Sequence, residues 1–291
     1  MKLVSFAVSG RHASGRHSWG VVTDSGVIDM GRRLEGKYPT LRALLAADAL
    51  PAAAAAAKGA KPDHALAEVA LLPPIPEPDK IICLGNNYRA HVLEGGNKIP
   101  EHPQLFIRLA NSLVGHEAPI IVPKISHELD YEVELAVVIG RGGRHIPKAE
   151  ALAHVAGYTC FHDASVRDIQ LKHCLDAGKN FLGTGPCGPW LVTSDEIADP
   201  GKLTLKTRLN GKELQNGNSS DLIFDIPTLI AYISGFTPLV PGDIISTGTP
   251  QGVGFTRKPP IFMKPGDVVE IEVEGIGVLR NPVIAEADIK S

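Results

Sequence analysis

Near the middle of the chain, hydrophobic and polar residues alternate strictly and then give way to an apolar run. Glu132 and Glu134 alternate with Tyr131, Val133 and Leu135, and Ala-Val-Val-Ile follows. Successive side chains of a β-strand point to opposite faces, so the two carboxylates share one face. The apolar run is typical of a strand that is buried on both faces. The stretch therefore predicts a central strand that directs two acids into a buried region.

Two interpretations of these acids are open from the pattern alone. Buried like charges repel each other and lose their hydration, so a divalent cation with oxygen ligands would compensate them. The same Glu-x-Glu pattern also describes the solvent face of an ordinary amphipathic strand. Residues 268–274 contain such a strand, in which we interpret Glu270, Glu272 and Glu274 as solvated.

Short strand patterns and turn residues dominate the rest of the chain. Asn210-Gly211 between two strand patterns predicts a type I′ hairpin. Helices are predicted after Thr40, which is a good N-cap residue, and from Ile226, where Pro227 is allowed at the start. With 30 Gly, 23 Pro and few long helical patterns, the chain favours a fold built of strands and turns.

A proline-rich stretch divides the chain. Pro73-Pro74-Ile75-Pro76-Glu77-Pro78 is stiff and extended, as expected of a boundary between domains. We predict a small α/β appendage at residues 1–72, a linker at residues 73–78 and a larger domain at residues 79–291.

Composition narrows the class of protein further. Of the 291 residues, 44% are hydrophobic and 21% are charged, as in an ordinary globular protein. The net charge of -3 gives no general attraction to nucleic acid or to an anionic membrane. No signal-peptide core is apparent, and the four cysteines lack Cys-x-x-Cys spacing. We expect a cytoplasmic protein with reduced cysteines that binds neither nucleic acid nor membranes.

Three further segments carry groups suited to chemistry. His91 and Glu94 share a face if they lie on a helical turn, and a carboxylate beside an imidazole suits a general base. An exposed surface pair is the alternative. Asp163 ends an apolar strand and could lie beside the two glutamates, or it could cap a following helix. Lys179, among glycine and aromatic residues, could face a substrate oxyanion or solvent.

Taken in order, seven segments between Ile81 and Val283 resemble the fumarylacetoacetate hydrolase superfamily, in particular its bacterial branch of acylpyruvate hydrolases and 2-hydroxyhepta-2,4-diene-1,7-dioate isomerases. The segments are Gly85-Asn86-Asn87-Tyr88 with His91 and Glu94, Asp130-Tyr131-Glu132-Val133-Glu134-Leu135, Asp163-Ala164-Ser165-Val166-Arg167-Asp168-Ile169-Gln170, Gly178-Lys179-Asn180-Phe181, Gly185-Pro186-Cys187-Gly188-Pro189-Trp190, Thr247-Gly248-Thr249-Pro250-Gln251-Gly252-Val253-Gly254 and Pro265-Gly266-Asp267.

The resemblance implies a fold and a metal site. The fold is a mixed, β-rich α+β architecture, with a rolled mixed β-sheet in the catalytic domain and a small α+β N-terminal domain, usually in a homodimer. Glu132, Glu134 and Asp163 are implied to bind Mg²⁺, with Mn²⁺ or Ca²⁺ as alternatives. His91 and Glu94 are implied to activate water.

The resemblance also implies a reaction. We expect a metal-dependent hydrolase that cleaves the bond between carbons 3 and 4 of a 2,4-dioxo acid. An acylpyruvate, fumarylpyruvate or maleylpyruvate would yield pyruvate and a carboxylic acid in aromatic-compound catabolism. A 2-oxo-diacid decarboxylase or a 2-hydroxy-diene-dioate isomerase using the same site is the second expectation, and a non-catalytic metal-binding protein is the third.

Roles for the remaining candidate residues follow from this expected reaction. Lys179 and Gln170 would stabilise the developing oxyanion. Thr249 would hold a substrate carboxylate, and two arginines would bind a distal carboxylate if the substrate is a diacid. The expected substrate-binding residues are Tyr88, Arg108, Arg167 and Thr249.

Overall fold

The computed structural model describes residues 1–8 and 16–289. In these ranges the strands are β1 (Lys2–Val8), β2 (Arg16–Thr23), β3 (Gly26–Asp29), β4 (Val69–Leu72), β5 (Ile81–Gly85), β6 (Gln104–Arg108), β7 (Leu113–Val114), β8 (Ile120–Val122), β9 (Leu129–Asp130), β10 (Val133–Ile139), β11 (Val155–His162), β12 (Ser165–Val166), β13 (Gly185–Thr193), β14 (Thr204–Leu209), β15 (Lys212–Asn218), β16 (Ile244–Ser246), β17 (Val268–Val273) and β18 (Gly277–Ala285). The α-helices are α1 (Met30–Arg33), α2 (Leu41–Ala46), α3 (Leu50–Ala57), α4 (Arg89–Glu94), α5 (Arg167–Lys172), α6 (Leu175–Lys179) and α7 (Ile226–Phe236).

A large mixed sheet forms the centre of the fold. Its strands lie in the order β3-β2-β1-β13-β11-β10-β16-β5-β6, with β4 beside β1 and β7 beside β13. Most neighbours are antiparallel, whereas β16 with β5 and β13 with β7 are parallel. A second sheet, in the order β15-β14-β17-β18-β8, packs against the first. The mixed β-rich α+β fold expected from the sequence is thereby confirmed.

Strand β10 lies in the middle of the large sheet and is buried at all seven positions. Leu135 and Val137 pack on one face in a core that includes Ile271 of the second sheet. Ala136 and Val138 pack on the other face in a separate core. The prediction of a strand buried on both faces is therefore confirmed, although the regular strand begins at Val133 rather than at the first glutamate.

Local signals in the sequence also correspond to observed elements. The Thr40 hydroxyl accepts a hydrogen bond from the N–H of Ala43 at the start of α2. Helix α7 begins at Ile226, as predicted, and continues to Phe236, whereas the sequence pattern predicts an end at Ile233. The turn between β14 and β15 has Asn210 and Gly211 at φ of 53° and 78°, as a type I′ hairpin requires.

The N-terminal strands are part of the large sheet. Leu3 of β1 lies opposite Leu191 of β13, so hydrogen bonding continues from residues 1–8 into the sheet that carries β10. Pro73, Pro74 and Ile75 are buried rather than exposed as in a free linker. The division into residues 1–72, 73–78 and 79–291 remains a prediction.

Two further features of the described residues concern the cysteines and the helices. Cys83, Cys160 and Cys187 are buried free thiols, and Cys174 is an exposed free thiol. None of the helices within the described ranges has both the length and the apolar character needed to cross a bilayer.

Candidate active site

Three carboxylates from neighbouring strands meet in the interior. Strand β10 pairs with β11 so that Glu134 lies opposite Phe161, which places Asp163 beside the start of β10. The Asp163 N–H donates to the backbone oxygen of Glu132 at 3.1 Å. One potential ligand oxygen from each of Glu132, Glu134 and Asp163 lies within 4.8 Å of the others, and all three residues are buried. The structure thus brings together the three predicted metal ligands.

Glu134 is held by the strand and loop on one side of β10. Its Oε2 accepts hydrogen bonds from the Ser246 hydroxyl and from the Gly248 N–H at 3.0 Å. Gly248 has a φ of +98°, and a Cβ there would approach the Asn87 side chain to 3.0 Å. Burial, together with the charges of Asp163 and Glu132, raises the pKa of Glu134 well above its usual value. The cluster therefore strongly disfavours a third negative charge unless a cation is present.

Glu132 has two cationic partners. Lys179 donates to its Oε2 at 2.8 Å, and Arg167 donates to its Oε1. Burial opposes ionisation of Glu132, but Lys179 and Arg167 outweigh it and hold its pKa well below the usual value. Lys179 also donates to Asp163. Burial opposes the positive charge of Lys179, but the Asp163 and Glu132 carboxylates raise its pKa, so Lys179 remains an ammonium group.

Arg108 does not line the pocket, in contrast to its expected role in binding a distal carboxylate. Its side chain is fully buried and donates to Asp163 Oδ1, to the Ala164 backbone oxygen at 3.2 Å and to Thr184 Oγ1 at 2.9 Å. The physical reason is that a buried guanidinium needs anionic and carbonyl acceptors, and Asp163 supplies the anion. Arg108 therefore holds the metal-ligand candidate Asp163 in place from outside the pocket lining.

Tyr88 is also placed differently from its expected role in substrate binding. It lies in the hydrophobic core, has no exposed surface and is absent from the pocket lining. Burial raises the pKa of its hydroxyl, which keeps the group neutral. The physical reason is that Tyr88 immediately precedes α4, where the chain turns its ring into the large core that also contains Leu84 and Leu129.

Gln170, Thr249 and Arg167 do line the pocket, as the substrate-binding and oxyanion expectations required. Gln170 Oε1 accepts from Arg167 at 2.7 Å. Thr249 Oγ1 accepts from the buried Gln215 side chain at 2.9 Å, which fixes the position of its hydroxyl. The structure thus places these three near the acidic cluster without assigning their contacts to a substrate.

His91 and Glu94 form the predicted pair on α4. His91 Nδ1 lies 3.7 Å from Glu94 Oε2, and the imidazole lines the pocket. The Gly252 N–H donates to both Glu94 oxygens, at 3.0 and 3.2 Å, so the glycine-rich loop anchors the helix. Burial opposes ionisation of Glu94, but the neighbouring His91 imidazole and the hydrogen bonds from the Gly252 N–H lower its pKa. A carboxylate that stays ionised is suited to orient the imidazole.

Asp130 is a structural centre of the site for which the sequence analysis predicted no role. Its carboxylate is fully buried and accepts from the N–H groups of Gly254 at 2.7 Å and Phe255 at 3.1 Å, and from Arg167 Nε at 2.8 Å. It thereby joins the glycine-rich loop to the arginine that contacts Glu132. The only signal in the sequence was an acid at the start of the Glu-x-Glu strand, which by itself is typical of a turn.

The donor set fits a hard divalent cation. At the site the buried acids are Asp130, Glu132, Glu134 and Asp163 and the buried cations are Arg108, Arg167 and Lys179, which leaves one net negative charge when all four acids are ionised. Glu134 is the acid without a cationic hydrogen-bond partner in the described residues. Three carboxylates with oxygens within 4.8 Å of one another match the ligand preference of Mg²⁺ or Mn²⁺.

A pocket of about 200 Å³ opens above the acidic cluster. Its lining includes Glu132, Glu134, Asp163, Lys179 and His91. This volume suits a small organic acid more than an extended polymer. The site therefore combines a cation position, a fixed ammonium group and an oriented imidazole in one small cavity.

Comparison with known proteins identifies relatives of this arrangement. Residues 80–284 match the model of the fumarylacetoacetate (FAA) hydrolase C-terminal family. Oxaloacetate tautomerase FAHD2A, mitochondrial, from Homo sapiens is 46% identical over 220 residues, which cover 75% of this chain and 70% of that protein.

Two solved structures are similar over nearly the whole chain. Maleylpyruvate hydrolase from Sphingobium sp. SYK-6, in complex with manganese(II) ion and pyruvate, superposes with a TM-score of 0.81 at 31% identity, covering 98% of this chain and 99% of that one. For 2-hydroxyhepta-2,4-diene-1,7-dioate isomerase from Mycobacterium marinum, the TM-score is 0.75 at 30% identity, with 99% and 100% coverage. With its matching catalytic segments, fold and acidic cluster, the chain belongs to the fumarylacetoacetate hydrolase family.

Proposed function

We propose that this protein catalyses the metal-dependent interconversion of the keto and enol forms of a small 2-oxo acid, with oxaloacetate as the first candidate substrate. The observation that carries the proposal is the cluster of Glu132, Glu134 and Asp163 beside Lys179 and His91 in one small pocket. Oxaloacetate is chosen because the named relative at 46% identity is an oxaloacetate tautomerase.

The cation proposed for the cluster is Mg²⁺, with Mn²⁺ as the alternative because the similar maleylpyruvate hydrolase structure contains manganese. When bound, a divalent cation supplies Lewis-acid polarisation of the 2-oxo group. Glu132, Glu134 and Asp163 would hold it. Arg108 and the Gly248 N–H already hold two of these carboxylates in place.

The proton-transfer step is proposed for His91. Its Nδ1 faces Glu94 at 3.7 Å, which leaves Nε2 for a proton on carbon 3 of the substrate. Removal of that proton moves negative charge onto the 2-oxo oxygen, and the Lys179 ammonium can donate a hydrogen bond there. Protonation of that oxygen completes the enol, and the reverse sequence returns the keto form.

Hydrolysis of a 2,4-dioxo acid between carbons 3 and 4 is the second candidate. It is favoured by the His91–Glu94 pair, which could equally remove a proton from water, and by the similarity to maleylpyruvate hydrolase. The products would be pyruvate and a carboxylic acid, as in the breakdown of aromatic compounds. Lys179 and Gln170 would then stabilise the oxyanion formed at carbon 4.

The test follows the ultraviolet absorbance of the enol. The purified chain is mixed with oxaloacetate, with an acylpyruvate and with fumarylpyruvate, each with Mg²⁺ and again with EDTA, and pyruvate is assayed as product. Faster approach to the keto–enol equilibrium of oxaloacetate without pyruvate formation supports tautomerisation. Mg²⁺-dependent formation of pyruvate from the dioxo acids supports hydrolysis, and no effect on any substrate contradicts both proposals.

The homodimer and the cytoplasmic location are also proposals, since both were expectations from the sequence and its resemblance. Light scattering coupled to size-exclusion chromatography of the full chain measures the first. A mass equal to one chain of 30.9 kDa at micromolar concentration would contradict the dimer. Fractionation of the source cells measures the second.

A further inference from the structure

The cationic side chains of the pocket are already paired with its acids. Arg167 donates to Asp130, Glu132 and Gln170, and Lys179 donates to Glu132 and Asp163. Arg108, as described above, lies behind the cluster. A second carboxylate at the far end of a substrate would therefore have to compete with these acids for Arg167 or Lys179, which supply the guanidinium and ammonium groups among the described residues that line the pocket.

Four primary amides line the same pocket, those of Asn86, Asn97, Gln104 and Gln170, and the Gln170 oxygen already accepts a hydrogen bond from Arg167. The Asn86 amide donates to Gln104 Oε1 at 2.8 Å. Among the described residues, the side chains of Asn86 and Gln104 make no other hydrogen bond. Both N–H groups of Gln104 and the second N–H of Asn86 therefore remain available as donors.

The chain holds the Asn86–Gln104 pair firmly on two adjacent strands. Gly85 of β5 lies opposite Gln104 of β6 in antiparallel register, and Asn86 follows directly. Asn86 adopts a φ of +52°, in the left-handed region that Asn tolerates better than most residues. A residue in this sparsely populated conformation at the wall of a pocket is a common feature of functional sites.

We propose that Asn86 and Gln104, with Asn97 at the rim, bind the distal carboxylate of a four-carbon 2-oxo diacid. Amide N–H groups are suitable donors for carboxylate oxygens, and the acidic cluster and these amides line one pocket of about 200 Å³. The inference rests on the proposed function only for the choice of a 2-oxo diacid. On this proposal, the Asn86–Gln104 pair determines the preference of the pocket for diacids over monoacids.

The test compares ligands that differ only in the distal group. Oxaloacetate and 2-oxobutanoate are the reactive pair. NMR measures how fast their carbon-3 protons exchange with deuterium in the presence of Mg²⁺. Malate and 2-hydroxybutanoate are the unreactive pair, and their binding to the Mg²⁺-loaded chain is measured by calorimetry. The variants are Asn86→Asp and Gln104→Glu, which keep size and place a negative charge where the distal carboxylate would bind.

Asn216→Asp is the matched control. Asn216 is an exposed amide on β15 outside the pocket lining, so the same change of charge there should leave all four ligands unaffected. We expect Asn86→Asp and Gln104→Glu to raise KM for oxaloacetate and Kd for malate about tenfold or more. The values for 2-oxobutanoate and 2-hydroxybutanoate should change less than about twofold.

Equal losses for diacid and monoacid ligands, or no loss for either, would overturn the inference. Failure of the proposed function would look different. In that case the wild-type chain would exchange no protons of oxaloacetate or 2-oxobutanoate, while the malate arm would still report whether the amides recognise a distal carboxylate. Unchanged melting temperatures of the two variants, measured beside the control, exclude a loss of fold as the cause.

Discussion

Arg108 forms an ion pair with Asp163 of the acidic cluster, and the side chains of both residues have no exposed surface. Arg108 also donates to Thr184 and to the Ala164 backbone oxygen, so its planar group has fixed acceptors on several sides. One Asp163 oxygen is therefore held by Arg108, while the other faces Lys179. This relationship sets the orientation of a metal-ligand candidate before any cation binds.

Removal of the guanidinium should leave one oxygen of the buried Asp163 carboxylate without its cationic partner, with Lys179 on the other oxygen. We expect Arg108→Met to lower the free energy of unfolding by about 3–5 kcal/mol, because breaking a buried pair by removing one partner exposes the full cost of burying the other. Chemical denaturation measures the change. The control is Arg280→Met, which breaks a half-exposed pair with Glu117 and should cost about 1 kcal/mol or less.

Arg108→Lys separates charge from geometry in the same position. It keeps a cation beside Asp163 but lacks the planar donors that reach Thr184 and Ala164, so an intermediate loss is expected. Equal stability of Arg108→Met and Arg280→Met would show that the pair with Asp163 is not a major contribution to the fold.

A second prediction concerns the cation. Glu134→Gln should weaken binding of Mg²⁺ or Mn²⁺ by at least about tenfold, because it removes the charge of a ligand candidate that pairs with no cationic side chain in the described residues. Isothermal titration calorimetry measures the affinity. Glu272→Gln is the control, since Glu272 belongs to a Glu-x-Glu pattern on β17 but is partly exposed and paired with Arg208. Undiminished affinity in Glu134→Gln would remove Glu134 from the ligand set.

The contrast between Glu134 and Glu272 shows what the sequence could predict. Both lie in Glu-x-Glu patterns, but an apolar run follows only the pattern that contains Glu134. In the structure, the strand of Glu134, β10, is buried on both faces, whereas the strand of Glu272, β17, is buried on one face only. Hairpin and capping signals at Asn210-Gly211 and Thr40 were also sufficient, because they act over a few residues. Resemblance to a family then brought the dispersed acids together as a set.

The direction of individual side chains was less predictable. On β6, Ile107 is exposed and Arg108 is buried, the reverse of what polarity alone predicts. The inversion is favourable because of Asp163, which lies 55 residues later in the chain. Tyr88 and Asp130 follow the same principle, since each is fixed by partners from distant segments that no local pattern specifies.

A third prediction tests the imidazole–carboxylate pair. Glu94→Gln should lower kcat by roughly 10²–10⁴-fold with the affinity for Mg²⁺ unchanged, because an amide cannot support a positive charge on His91. Steady-state kinetics and calorimetry on the same preparation measure both quantities. Glu101→Gln, at an exposed position in the loop after α4, is the control and should retain full activity. Unchanged turnover in Glu94→Gln would exclude the pair from proton transfer in either proposed reaction.

A fourth prediction concerns pH and His162. This residue has no exposed surface, and neither ring nitrogen has a hydrogen-bond partner in the described residues. Burial, with a smaller contribution from the Arg108 charge, lowers the pKa of His162 from 6.5 to about 3. As the pH falls below 6.5, the unfolded chain therefore binds a proton that the folded chain does not, and folding stability is lost until about pH 3.

The variant His162→Leu should remove this loss. Carboxylates also titrate in this range, so the quantity to measure is the difference in unfolding free energy between the wild type and the variant at pH 7 and at pH 5. We expect that difference to shift by about 2 kcal/mol in favour of the variant at pH 5. His102→Leu, at an exposed position, should show no such shift. Parallel stability curves for the wild type and His162→Leu would mean that His162 finds a proton acceptor in the folded chain and stays charged.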